Sequence, residues 1–232
     1  LIQIDFRHWE GQAFTQMNED VAKMIADYHL GGIILFRENL AESSQIFDLL
    51  WAMQEARMNV KGSQIPLFLT VDQEGGIVTR LQDGTNMPGN MALGAIDDEG
   101  LTEEVAYAMG RELSSLGFNI NFAPTVDVNS NPKNPVIGIR SFSSDADKVA
   151  KHGLAYMRGM KKAKIGATAK HFPGHGDTAV DSHFGLPHVY RDLQTLQEVD
   201  LKPFKALMDE KLDMMMTAHI VVPSLDDAQL TD

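Results

Sequence analysis

Short apolar runs alternate along the chain with longer stretches in which apolar residues recur three and four positions apart. Five runs, at 32–36, 65–71, 118–123, 165–169 and 214–218, have the length and continuous apolar character of strands buried on both faces. The stretches before them, 18–30, 44–58, 102–116, 145–164 and 193–211, carry helical periodicity, and Gly117 follows the third as a C-cap. Strands and helices in strict alternation predict a parallel sheet with right-handed crossovers, either open or closed into a barrel.

Position separates the two. Polar residues stand just after the apolar runs, at Arg37, Asp72, Asp127, Lys170 with His171, and His219. Both architectures place ligands at the carboxyl ends of strands, but five strand ends serving one site suit a barrel mouth better than a single crevice. The expected fold is therefore an α/β, TIM-type (β/α)8 barrel, with an open doubly wound parallel sheet as the alternative. A complete barrel has eight strands and about 250 residues, whereas five or six strand candidates precede Asp232. The expectation is one barrel domain over 1–232, cut short after the fifth or sixth strand and incomplete at its C-terminus.

Composition narrows the partners. An apolar fraction of 44% with 22% charged residues is that of an ordinary globular chain, which argues against disorder. The formal charge of -12 argues against a nucleic-acid partner, because such binding is driven by clustered Lys and Arg. Lys161, Lys162 and Lys164 end a predicted helix, where cations suit the helix dipole, and are read as a solvated face. The absence of cysteine excludes disulfides, thiolate zinc sites and a cysteine nucleophile. No apolar run is long enough to span a bilayer, and the N-terminal stretch is too polar for a signal peptide. Because the chain begins with Leu1, an upstream segment, including an export signal, is compatible with it; a soluble, cytoplasmic protein is the favoured expectation.

Three stretches carry candidate chemistry. From Lys170 to His183 the sequence reads KHFPGHGDTAVDSH, where Pro173, Gly174 and Gly176 break any helix and predict a loop leaving the strand that ends near Lys170. In it Asp181 and His183 stand two apart, a spacing at which a carboxylate can fix an imidazole tautomer and raise its basicity. The second stretch, Val71 to Arg80, places Asp72 and Glu74 before paired glycines, Gly75 and Gly76. Asp72 suits hydrogen bonding to a polyol, and Glu74 is read as capping or as pairing with Arg80. The third, Asn129 to Phe142, is dense in turn residues and ends with Arg140, suited to a directed multi-donor contact.

Together these stretches resemble glycoside hydrolase family 3, in the branch of bacterial β-N-acetylglucosaminidases, or β-N-acetylhexosaminidases, that act on cell-wall fragments. The resemblance spans nearly the whole chain: KHFPGHG at Lys170 to Gly176, D-S-H at Asp181 to His183, DQEGG at Asp72 to Gly76 and G-x-R-S-F at Gly138 to Phe142, in the family's order. It implies that Asp72, Arg80, Arg140, Lys170 and His171 bind a non-reducing sugar and that His183, oriented by Asp181, is the acid/base of a retaining, exo-acting enzyme. The implied substrates are N-acetylglucosaminyl muropeptides or chitooligosaccharides, and no cofactor or metal is expected. The family's Asp nucleophile lies in a later motif that nothing up to Asp232 matches; Asp226 and Asp227 stand in a different context and are not assigned that role. A neutral imidazole in place of the usual second carboxyl group would repel an anionic acceptor such as phosphate less.

Two other classes compete. A metal-dependent hydrolase would draw ligands from His171, His175, His183, His188 and His219 with Asp177 and Asp181, but the four-residue spacing of His171 and His175 serves as a ligand pair mainly on a helix. His175 and His188 are read instead as bracing loops. A non-catalytic sugar-binding fragment is the other alternative. Met214 to Met216 are read as packing beneath the site, and Trp9 and Trp51 as core or surface anchors.

Overall fold

A computed structural model describes residues 2–62, 65–179 and 185–225. Its elements follow the order β1 (Gln3–Asp5), β2 (His8–Trp9), β3 (Gln12–Ala13), α1 (Glu19–Asp27), β4 (Gly32–Leu35), α2 (Ser43–Met58), β5 (Phe68–Val71), α3 (Asn90–Ile96), α4 (Glu99–Leu116), β6 (Ile120–Asn121), α5 (Ala146–Lys162), β7 (Gly166–Phe172), α6 (Leu193–Thr195), α7 (Leu201–Asp209) and β8 (Met214–Thr217).

Six strands form one sheet in the order β1-β4-β5-β6-β7-β8, and every pairing is parallel. The spatial order is the chain order, with no reversal. A doubly wound sheet needs a reversal to create its crevice, so the chain winds in one direction, and the sheet curls as part of a (β/α) barrel. The carboxyl ends of all six strands consequently share one rim.

The five apolar runs all lie in the sheet, with shifted boundaries that have local causes. β5 starts at Phe68 rather than at 65 because Pro66 has no N–H for the ladder, and Leu67 is instead bound through its N–H and C=O by the side chains of Gln54 and Asn119. β6 is two residues long, yet the chain continues beside β7: Thr168 donates to the Ala123 carbonyl, Lys170 to that of Pro124, and Val126 to that of Lys170. β7 runs on to Phe172, so Lys170 and His171 belong to the strand and not to the loop expected for them. A register irregularity between Lys170 and Phe172 leaves His171 outside the β7–β8 register while the pairing continues at Phe172. The helix expected over 193–211 is broken by a π-helical turn, Leu196–Asp200, because Pro203 cannot donate back to the preceding turn.

Three elements carried too little pattern to be read. β1 is only three residues; the β2–β3 hairpin turns through Glu10 and Gly11, both at positive φ; α3 is seven residues long. Trp9 packs at the core edge with its ring centroid 6.3 Å from that of Phe6, whereas Trp51 is 62% exposed and stacks on Phe47. The lysines ending α5 are less free than a solvated face implies: Lys161 donates to the carbonyls of Glu210 and Lys211, and Lys162 pairs with Glu103.

Helices α4 and α5 pack against each other behind the sheet at backbone contact. A β-carbon at Gly159 would sit 2.3 Å from the Glu103 carbonyl oxygen and 2.8 Å from Ala106 Cβ. Gly159→Ala must therefore push the helices apart, with an expected loss of about 1–3 kcal/mol. Urea denaturation checks this: the midpoint should fall, and an unchanged midpoint would mean the contact is looser than described.

Candidate active site

Three neighbouring strand ends supply the polar groups of the rim. β5 leads into Asp72 and Glu74, β6 into Asp127, and β7 ends with Lys170 and His171. Arg37 and His219, expected to join them from β4 and β8, are exposed.

Lys170 is 2% exposed and its Nζ lies 2.6 Å from Asp72 Oδ1 and 2.6 Å from Glu74 Oε1. Glu74 is also gripped by Arg140, whose Nη2 donates to Oε1 at 2.7 Å and whose Nε donates to Oε2 at 3.0 Å. This fork geometry is specific to arginine. Burial opposes ionisation of Glu74, but the Lys170 charge and the Arg140 contacts outweigh it and hold the carboxyl at about 2. Glu74 therefore pairs with Arg140 and Lys170, not with Arg80 as the sequence suggested. Arg80 is held through its backbone N–H by Gln73 Oε1, and its buried Nε has no hydrogen-bond acceptor among the described residues.

Asp127 organises the other half. It is fully buried and accepts from the His171 N–H, from His171 Nδ1 at 2.7 Å, and from the His175 N–H at 2.7 Å. Burial raises its pKa, but the facing His171 and these donors outweigh burial and keep the carboxyl below its ordinary range. With Nδ1 committed to Asp127, His171 turns Nε2 toward Arg140 Nη2, 3.4 Å away. The two halves meet at that contact. The sequence placed Asp127 at a strand end but offered no role for it; its partners are distant in the chain, and no local motif marks it.

His175 is 2% exposed, with Nδ1 2.7 Å from Thr178 Oγ1 and its carbonyl bound by Asn134 Nδ2, as expected of a residue that shapes the loop. Burial lowers its pKa. His188 stacks on Tyr190 and bridges to Val221. Gly75 and Gly76, at positive φ, bring their loop against the backbone of Met87 to Gly89, so their close approach is to the chain itself. Among the described residues, no three His, Cys, Asp or Glu side chains gather as a metal site. Asp181 and His183 lie outside the described residues. A largely apolar cavity of about 440 Å³ borders the cluster across the Glu74–Arg140 pair, lined also by Ile77, Asn90, Met91 and Ile139.

Glu74 neutralises two buried cations, so Glu74→Gln leaves Lys170 and Arg140 undercompensated, and at pH 7 it should cost about 3–5 kcal/mol. Because the folded pKa is depressed, this stabilisation is complete above about 4.5 and fades as pH falls toward about 2. Denaturation of both proteins across that range should show the gap closing on acidification; a gap independent of pH would contradict the assignment.

The sequence matches the Glycosyl hydrolase family 3 N terminal domain over residues 1–232. It is 43% identical to the beta-hexosaminidase A of Pseudoalteromonas piscicida, covering 100% of this chain and 41% of that protein. It is 37% identical to the beta-hexosaminidase of Thiobacillus denitrificans, covering 92% of this chain and 60% of that protein. Among solved structures, a glycoside hydrolase family 3 beta-N-acetylglucosaminidase from Paenibacillus superimposes with a TM-score of 0.92 at 43% identity, over 98% of this chain and 42% of that one. NagZ from Neisseria gonorrhoeae, in complex with N-trifluoroacetyl-D-glucosamine, gives 0.88 at 33% identity, over 97% of this chain and 65% of that one. The chain thus spans about two fifths to two thirds of the length of these relatives. On this evidence the chain belongs to glycoside hydrolase family 3, as part of its N-terminal domain.

Proposed function

We propose that the protein to which this chain belongs is a retaining, exo-acting β-N-acetylglucosaminidase that removes terminal N-acetylglucosamine from peptidoglycan-derived fragments or chitooligosaccharides. The observation that carries this reading is the buried lattice of Asp72, Lys170, Glu74, Arg140, His171 and Asp127, in a family whose relatives bear hexosaminidase names. Residues 1–232 are read as belonging to a single catalytic barrel domain.

Asp72, only 17% exposed at its side chain, presents a carboxylate to sugar hydroxyls, and Lys170 beside it donates to hydroxyl oxygens. Arg140 is oriented by Glu74 and His171 by Asp127, so both meet the sugar in fixed positions and little reorganisation accompanies binding. Arg80, from the loop after β5, completes the sugar contacts.

His183, oriented by Asp181, is the acid/base. In the first step a carboxylate, which is not assigned to a residue of 1–232, bonds to the anomeric carbon as the bond to the aglycone oxygen breaks, and His183 gives that oxygen its proton. In the second, His183 takes a proton from water, whose oxygen bonds to the anomeric carbon and releases the carboxylate.

Hydrolysis of a chromogenic N-acetylglucosaminide by the full-length protein and by His183→Ala tests the reading. Wild-type turnover should fall by about 10²–10⁴-fold in the variant, the range of general acid/base catalysis. Wild-type turnover with an unimpaired variant would refute the assigned role.

A further inference from the structure

The loop after β7 is held by a second charged group that takes no part in the sugar cluster. Arg191 reaches three separate pieces of chain: it donates to Ser130 Oγ in the loop after β6, lies 3.1 Å from Asp177 Oδ1 in the loop after β7, and places Nε 3.0 Å from Asp200 Oδ2. The last contact lies off the N–H direction. It is a charge pair and not a hydrogen bond, and neither Asp200 oxygen has a hydrogen-bond donor among the described residues. Asp200 is fully buried in the π-helical turn, a local geometry often found at functional sites.

The loop lies directly on this pair. A β-carbon at Gly174 would stand 2.8 Å from Asp200 Cβ. From the other side, Asn131 Nδ2 donates to the Thr178 carbonyl and Asn134 Nδ2 to that of His175, while the His175 N–H is committed to Asp127. Arg191 and Asp177 also stand on either side, in the chain, of the stretch that carries Asp181 and His183.

We propose that Arg191 and Asp200 are positioning residues: a buried ion pair that, through Asp177, holds the loop after β7 in register with Asp127 and His171. The inference rests on reading His183 as the acid/base, since this is the loop that bears it.

Burial pushes the Asp200 carboxyl up to about 7; Arg191 pulls it down, and Asp177 and Asp127 add to the rise. Among the described residues these are the charges that bear on it most, and on neighbouring α5 Asp147 is paired with Lys202. Asp200 is thus neutral on the acid side of about 7 and paired with Arg191 on the alkaline side. With the folded pKa above the ordinary value of 3.8, the protonated form is the one folding favours, and this contribution to stability is lost as pH rises toward about 7. Asparagine at position 200 copies the protonated state in shape and charge.

The experiment compares full-length wild type with Asp200→Asn, Arg191→Ala and Arg191→Lys, from acid to alkaline pH, on a chromogenic N-acetylglucosaminide. For Asp200→Asn the kcat ratio to wild type should be near unity at acid pH and fall to about one tenth on the alkaline side, with KM unchanged. Arg191→Ala should lower kcat throughout, and Arg191→Lys should recover part of the loss. Amide exchange at His175 and Thr178 should accelerate in Asp200→Asn on the alkaline side only, a readout that does not depend on turnover. A kcat ratio or an exchange difference independent of pH, or an effect confined to KM, would overturn the proposal. An unimpaired His183→Ala would instead refute the acid/base reading, with the exchange result still deciding the clamp.

Discussion

Burying Lys170 is the constraint on which the rest of the site depends. An ammonium group at 2% exposure is tolerable only if opposite charge meets it at hydrogen-bonding distance. Two carboxylates do so, and both come from the loop that leaves β5, two strands away across β6. One of them, Glu74, must then be shared with Arg140, which fixes the Gly138–Arg140 turn against the rim and brings its guanidinium within reach of His171. Charge balance among four side chains thereby becomes a positional lock on two loops and the end of β7.

Asp127 extends the lock by hydrogen bonding. It accepts from two backbone N–H groups and one imidazole, and it ties the first residues of the loop after β7 to the loop after β6. A carboxylate with three donors in a dry setting stays ionised, so the arrangement is in place before any ligand arrives. Preorganisation of this kind is what a site needs when its ligand is an uncharged, strongly hydrated sugar, because affinity then depends on how little must be rearranged.

Much of this was legible in the sequence. Alternating apolar runs announced the parallel sheet, the polar residues after them favoured a barrel over a doubly wound sheet, and Asp72, Lys170, His171 and Arg140 were picked out by their places after strands or in turn-rich loops. What escaped notice depended on pairing between distant segments. Glu74 was read as a cap or as a partner of the nearer Arg80, yet its partners are Arg140 and Lys170. Asp127 has donors from residues 171 and 175, a relation that only the β6–β7 pairing creates. Asp200 fell within the helix expected over 193–211 and Arg191 just before it, and neither stood out, because a π-helical turn leaves no clear periodic signature. Strands as short as β1, β2 and β3 were hard to mark for a similar reason: two or three residues are too few for a pattern.

The central claim is that the strand-end lattice is a prebuilt sugar site. Calorimetric titration of N-acetylglucosamine into the full-length protein and into Lys170→Met tests it most directly, with circular dichroism to establish that the variant stays folded. The account predicts measurable binding in the wild type and loss of most of it in the folded variant. Equal affinity in the two proteins would contradict it.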